Sequence, residues 1–268
     1  MTIATLNGIR LSYTDHGGDG PPVVLVMGTG SPGRVWDVHQ VPALRNAGLR
    51  PVTLDNRGIP PTDECAAGFT VDDMAADVAA LVEHLGAGPA AVVGTSLGSR
   101  VVLELALARP DLVSRVAALA AHARLTPVQQ AWTAGTVAAA DAGVTLPAEL
   151  WAAVQATHNL SPATLDDERA ARDWLDIIGF GGSTVSPGHR AQLQVSLDLG
   201  DRTAAYRGIA VPALVLAFAD DRAIPPRLSR EVAAAVPGAR YAEIPDAGHY
   251  GYLEQPAATN RALLDFLA

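Results

Sequence analysis

A chain of 268 residues, 49% of them hydrophobic and only 18% charged, has ample material for one large folded core, which excludes a disordered tail or linker. The formal charge of −9, from 19 basic against 28 acidic residues with no basic run, argues against nucleic acid or an anionic membrane as partner. All 19 basic residues are arginine, a bias we read as a mark of a GC-rich genome and not of function.

The chain opens on an alternating stretch, residues 2–13, interrupted by Asn7-Gly8, a strong hairpin-turn dipeptide. No basic segment followed by an apolar one precedes it, so no signal peptide is expected, and no apolar run is long enough to span a bilayer. Residues 22–27 form a continuous apolar run ended by Gly28. Runs without alternation mark strands covered on both faces of a parallel sheet, and the pattern returns at 50–54, 90–93, 116–121 and 213–217. Cys65 has no partner for an internal disulfide, and its acidic neighbours Asp63 and Glu64 disfavour a thiolate; an idle thiol in a reducing, cytoplasmic setting is the expectation. Between the strands lie helical segments. The clearest is 71–85, opened by Thr70 with Asp73 three residues on and closed by Gly86.

This strand–helix alternation predicts an α/β fold, a mostly parallel sheet with helices on both faces. It breaks between residues 124 and 200, where the sequence is rich in alanine and helical in pattern, with Trp132, Trp151 and Trp174. An insertion of that length is more than a loop and reads as a helical lid (124–200) over a core made of 1–123 and 201–268. The three tryptophans are candidates for substrate contact, against the alternative that each simply packs in a core.

Gly94-Thr95-Ser96-Leu97-Gly98 follows one apolar run and precedes the helix-like segment 100–106. A serine on a sharp strand-to-helix turn stands clear of the sheet edge, and the helix that begins there presents free N–H groups to an anion. A serine hydroxyl needs a base and an acid that orients the base. The run from Ala213 ends in Asp220-Asp221, with Pro225 four residues beyond; Asp221 is preferred as the acid, and Asp220 stays open. His249, on a turn before a closing helical stretch at 258–267, is the candidate base. His122, at the end of the 116–121 run, is a candidate pocket residue. His16 is expected to be exposed, and His39, His84, His158 and His189 show no comparable setting.

Taken together, Met27-Gly28-Thr29-Gly30, Leu54-Asp55-Asn56-Arg57-Gly58, the Ser96 pentapeptide, Asp221 with Pro225, and Gly248-His249 followed by Leu253-Glu254-Gln255-Pro256 resemble the α/β-hydrolase family of esterases, lipases and small hydrolases. The resemblance covers nearly the whole chain. It implies that Ser96 attacks a carbonyl, His249 serves as base and then acid, and Asp221 orients His249. It also implies that the N–H groups of Thr29 and Leu97 form an oxyanion hole. From their positions in the chain, Gly28, His122, Trp132, Trp151, Trp174 and Tyr250 are expected beside the substrate. The chain departs from the family where Met27 replaces a common histidine, where Gly30 replaces a common proline, and in Gly58-Ile59-Pro60-Pro61-Thr62, which lacks a second glycine. For Arg34 and Arg57, structural ion pairs are expected over contact with a substrate carboxylate.

The expected chemistry is cofactor-free and metal-free cleavage of an ester, thioester or lactone of a small apolar molecule. Alternatives on the same residues are acyl transfer, cyclisation, carbon–carbon cleavage, perhydrolysis of the haloperoxidase type, or ligand binding without turnover. A dinucleotide site is rejected because Gly28-Thr29-Gly30-Ser31-Pro32-Gly33 lacks the third glycine at its place. A homodimer is left open.

Overall fold

The computed structural model describes residues 1–268. Two strands, β1 (Thr2–Leu6) and β2 (Ile9–Asp15), form the expected hairpin, with Asn7 and Gly8 both at positive φ (46° and 78°), as a two-residue turn of this hand demands. Six more follow: β3 (Pro22–Val26), β4 (Arg50–Leu54), β5 (Ala90–Thr95), β6 (Val113–Leu119), β7 (Ala213–Phe218) and β8 (Arg240–Ile244). They make one sheet in the order β1-β2-β4-β3-β5-β6-β7-β8, antiparallel at β1, β2 and β4 and parallel from β4 onward.

The apolar runs are continuous because both faces are covered, and successive side chains point to opposite sides. Val24, Val92, Val116 and Val215 enter one core with Val78 and Leu81 of α2 (Val71–Leu85) and Val101 and Leu105 of α3 (Leu97–Ala108). Leu25, Val93, Ala117 and Leu216 enter the other, with Leu44 of α1 (Gln40–Asn46) and Leu263 and Phe266 of α11 (Pro256–Leu267). Helix α2 carries the capping box read from the sequence: Thr70 Oγ1 accepts from Asp73 N and the Asp73 carboxylate accepts from Thr70 N, while Gly86 closes the helix at φ 63°.

Between β6 and β7 stand α4 (Pro127–Asp141), α5 (Ala148–Asn159), α6 (Pro162–Asp166), α7 (Glu168–Gly181) and α8 (Pro187–Asp198). Helix α9 (Pro226–Ala235) and the short α10 (Gly251–Glu254) complete the chain. One strand differs from expectation. β6 starts earlier and ends at Leu119, because Ala120 turns the backbone to φ 46°, so His122 lies beyond the strand instead of ending it.

Candidate active site

Ser96 sits between β5 and α3 at φ 56°, ψ −119°, a left-handed conformation that a side chain adopts only when its surroundings hold it there. Those surroundings are glycine. A Cβ on Gly94 would run into the carbonyl of Gly98, and one on Gly98 into the carbonyls of Val26 and Met27. Ser96 N donates to Leu119 O at 3.0 Å, and its own carbonyl accepts from Ser99 N, at 3.0 Å, and Ser99 Oγ. Gly28 passes so close that a Cβ there would lie 3.1 Å from Ser96 Cβ and 3.7 Å from its Oγ. Leu97 is the first residue of α3, where N–H groups have no partner within the helix.

Asp221 is buried, at 3% exposure, and divides its carboxylate between two donors. Oδ1 accepts Ile224 N at 2.7 Å and Oδ2 meets His249 Nδ1 at 2.8 Å. Asp220 takes no part; its backbone N donates to Ala247 O. The loop carrying His249 is tied at both sides. Gly248 N donates to Glu254 Oε2 at 2.7 Å, and Tyr250 N to Asn159 O at 3.2 Å. The other oxygen of Glu254 accepts Ser161 N at 2.8 Å and Thr164 Oγ1 at 2.6 Å, binding the histidine loop to α6.

The loop after β3 is held by two residues that follow β4. Asn56 Nδ2 donates to Met27 O at 2.8 Å, Asp55 Oδ1 accepts Gly33 N at 2.8 Å, and the Met27 side chain itself is buried in the core. Thr62, in the segment without a second glycine, ties the turn after β4 to β2: its hydroxyl donates to Asp55 O at 2.7 Å and accepts from Ser12 N. Arg57 forms the structural ion pair anticipated for it, with Asp77 at 2.7 and 2.9 Å; Arg34 is exposed and makes none.

His122 is buried at 4% exposure, and its Nδ1 has no hydrogen-bond partner. Burial pushes its pKa well below the ordinary 6.5, and the nearby charges of Arg100 and His249 push the same way. Two further histidines, missed in the sequence, come in from the inserted helices. His158 of α5 stacks on Trp132 (4.1 Å between ring centroids, 9° between planes), and His189 of α8 lies against Gly30. Burial lowers the pKa of both, and for His158 proximity to His249 adds to it. Trp174 reaches Tyr250, at 6.0 Å, and Tyr250 lies 6.2 Å from His249. Trp151 is half-buried and makes no aromatic pair with a site residue. No three His, Cys, Asp or Glu side chains converge as metal ligands would. His16 is not free as expected: it meets Thr53 Oγ1 at 3.0 Å and Asp37 at 3.4 Å.

Comparison with known proteins agrees with this architecture. A family profile described as the alpha/beta hydrolase fold matches residues 21–256. A Mycobacterium tuberculosis protein provisionally named non-heme bromoperoxidase BpoC is 45% identical over 97% of this chain and 98% of its own. Its crystal structure superposes with a TM-score of 0.91, covering 96% of this chain and 95% of that one. A protein provisionally named carbamate hydrolase RutD, from Variovorax paradoxus, is 31% identical over 96% of both chains. The enol-lactonase of Burkholderia xenovorans LB400 has a TM-score of 0.85 at 26% identity, covering 99% of each chain. With its sheet order, its serine turn and this profile match in agreement, the chain belongs to the α/β-hydrolase family.

Proposed function

We propose that the chain is a serine hydrolase that cleaves a carboxylic ester, thioester or lactone through an acyl-enzyme, with Ser96 as nucleophile, His249 as base and Asp221 as orienting acid. The observations that carry the reading are the buried Asp221 Oδ2–His249 Nδ1 contact of 2.8 Å and a serine held at positive φ on the β5–α3 turn. An aspartate on Nδ1 leaves Nε2 free to take the Ser96 proton and stabilises the imidazolium that results. Ser96 Oγ then bonds to the substrate carbonyl carbon, and the oxyanion receives the N–H groups of Thr29 and Leu97. His249 returns the proton to the departing alcohol or thiol. A water molecule, deprotonated by His249, cleaves the acyl-serine and restores the enzyme.

In this reading residues 124–200 act as a lid over the core of 1–123 and 201–268. The aromatic pairs Trp132–His158, within it, and Trp174–Tyr250, between it and the core, favour an apolar substrate of modest size. Buried His122 and half-buried His158 and His189 all have their pKa lowered below the ordinary 6.5, so they would meet that substrate as hydrogen-bonding groups without charge. The single Cys65, half-buried with its thiol pKa raised by burial, fits a cytoplasmic setting.

A second reading rests on the bromoperoxidase name of the 45% identical relative: the same acyl-serine attacked by hydrogen peroxide in place of water releases a peracid, which oxidises bromide. Burst kinetics with p-nitrophenyl esters, in water and then with added peroxide, test both. A burst of one p-nitrophenol per chain that is lost in Ser96→Ala supports the acyl-enzyme. Peracid formation that outpaces hydrolysis selects the second reading. Ester turnover unchanged in Ser96→Ala contradicts both.

A further inference from the structure

The segment Gly28-Thr29-Gly30 has more backbone freedom than almost any other tripeptide, because glycine stands on both sides of Thr29. A donor in such a segment stabilises an oxyanion only if something outside the segment fixes its direction beforehand. That fixing comes from α8. Gln192 is completely buried, and both ends of its amide are engaged. Oε1 accepts the Gly30 N–H at 2.8 Å, and Nε2 donates to the Arg57 carbonyl at 2.8 Å. His189 lies over Gly30, where a Cβ would stand 2.7 Å from the ring, and Gly30 itself is at φ 73°. The helix can come so near because Gly188 meets Gly58 backbone to backbone; a Cβ on Gly58 would be 2.8 Å from Gly188 O.

We propose that Gln192 is a positioning residue for the oxyanion hole, a group from the inserted helices that anchors the Thr29–Gly30 peptide and so fixes the backbone next to the Thr29 donor. The inference rests on the acyl-enzyme reading above. The Gly30 N–H belongs to the peptide that joins Thr29 to Gly30, so anchoring it restricts Thr29 about ψ and holds in place the Thr29 Cα to which the donor peptide, Gly28–Thr29, is attached. Glutamine is the side chain that suits the place: it supplies an acceptor for Gly30 and a donor for Arg57 at once, which neither a carboxylate nor an apolar group can do. The contact also makes α8 a fixed wall of the site, since lifting it would release the Gly30 N–H.

The test uses Gln192→Met and Gln192→Glu, with kcat and KM for a p-nitrophenyl ester and the inhibition constant of phenylboronic acid, which forms a tetrahedral anionic adduct on an activated serine. Gln192→Met is expected to leave KM within about threefold of wild type. It lowers kcat and boronate affinity together by roughly 10- to 100-fold, less than the 10²–10³-fold cost of deleting an oxyanion donor outright. Gln192→Glu sets a carboxylate against the Arg57 carbonyl; once protonated it regains a donor and an acceptor, so its kcat relative to wild type rises as the pH falls. A folded Gln192→Met with wild-type kcat and boronate affinity overturns the inference. So does a loss shared by KM and kcat with boronate binding unaffected, or a Gln192→Glu ratio that does not move with pH. A wild-type protein that forms no boronate adduct at Ser96 instead overturns the acyl-enzyme reading, and the inference with it.

Discussion

The two oxygens of Asp221 have separate tasks: one caps the Ile224 N–H and fixes the loop, while the other faces His249. Asn at this position keeps the shape but offers the imidazole the wrong partner, so Asp221→Asn should lower kcat by about 10³–10⁴-fold with KM little changed. Asp220→Asn, one residue away on the same loop, should leave steady-state kinetics within about twofold, since only its backbone is engaged. Equal losses in the two variants would remove the distinction drawn between them. His122 shows how much a single position depends on setting. It is one of seven histidines by composition, but burial in this fold, reinforced by the nearby charges of Arg100 and His249, holds its pKa well below the ordinary 6.5.

At the scale of elements, the strand–turn–helix unit β5–Ser96–α3 stands on two glycines whose Cβ positions are already occupied by backbone. Gly98→Ala forces α3 away from β3 and should cost about 1–3 kcal/mol in urea unfolding, with a larger fall in ester turnover than the stability loss explains. A Gly98→Ala protein of unchanged stability and activity would show the close approach to be dispensable. This unit was legible in the sequence because its causes are local: a two-faced strand reads as an unbroken apolar run, and a tight turn needs small residues at fixed spacing. The hairpin at Asn7-Gly8 and the capping box of α2 were legible for the same reason. His158, His189 and Gln192 were not, because nothing in their neighbours along the chain marks them. They reach the site through the packing of α5 and α8, and a helix pattern alone does not say which face will be covered, or by what. β6 departs from the apolar run at both ends, since its early residues Val113 and Ser114 follow a Pro-Asp turn and its end is set by the positive φ of Ala120.

For the molecule as a whole, the site lies where the C-terminal ends of β3, β5, β6 and β7 meet the inserted helices, and the histidines at that junction link its stability to pH. His122, His158 and His189 are all held below the ordinary 6.5 by burial, so each binds a proton less readily folded than unfolded. Below about pH 6.5 the unfolded chain therefore takes up the extra protons, and stability present above that pH is lost as the pH falls toward the depressed folded values. Tm should fall between about pH 7.5 and 5.5, and less steeply in His122→Asn; a decline of the same slope in the variant would place its cause elsewhere. Among the helices no span is long and apolar enough to cross a membrane. The exposed apolar residues Leu150, Ile177 and Phe180 lie instead on α5 and α7. The central claim, an activated Ser96, is tested most directly by intact-mass labelling with a fluorophosphonate, comparing wild type with Ser96→Ala. The account predicts one adduct per wild-type chain and none in the variant; a folded wild-type protein that remains unlabelled, or a variant that labels equally, would contradict it.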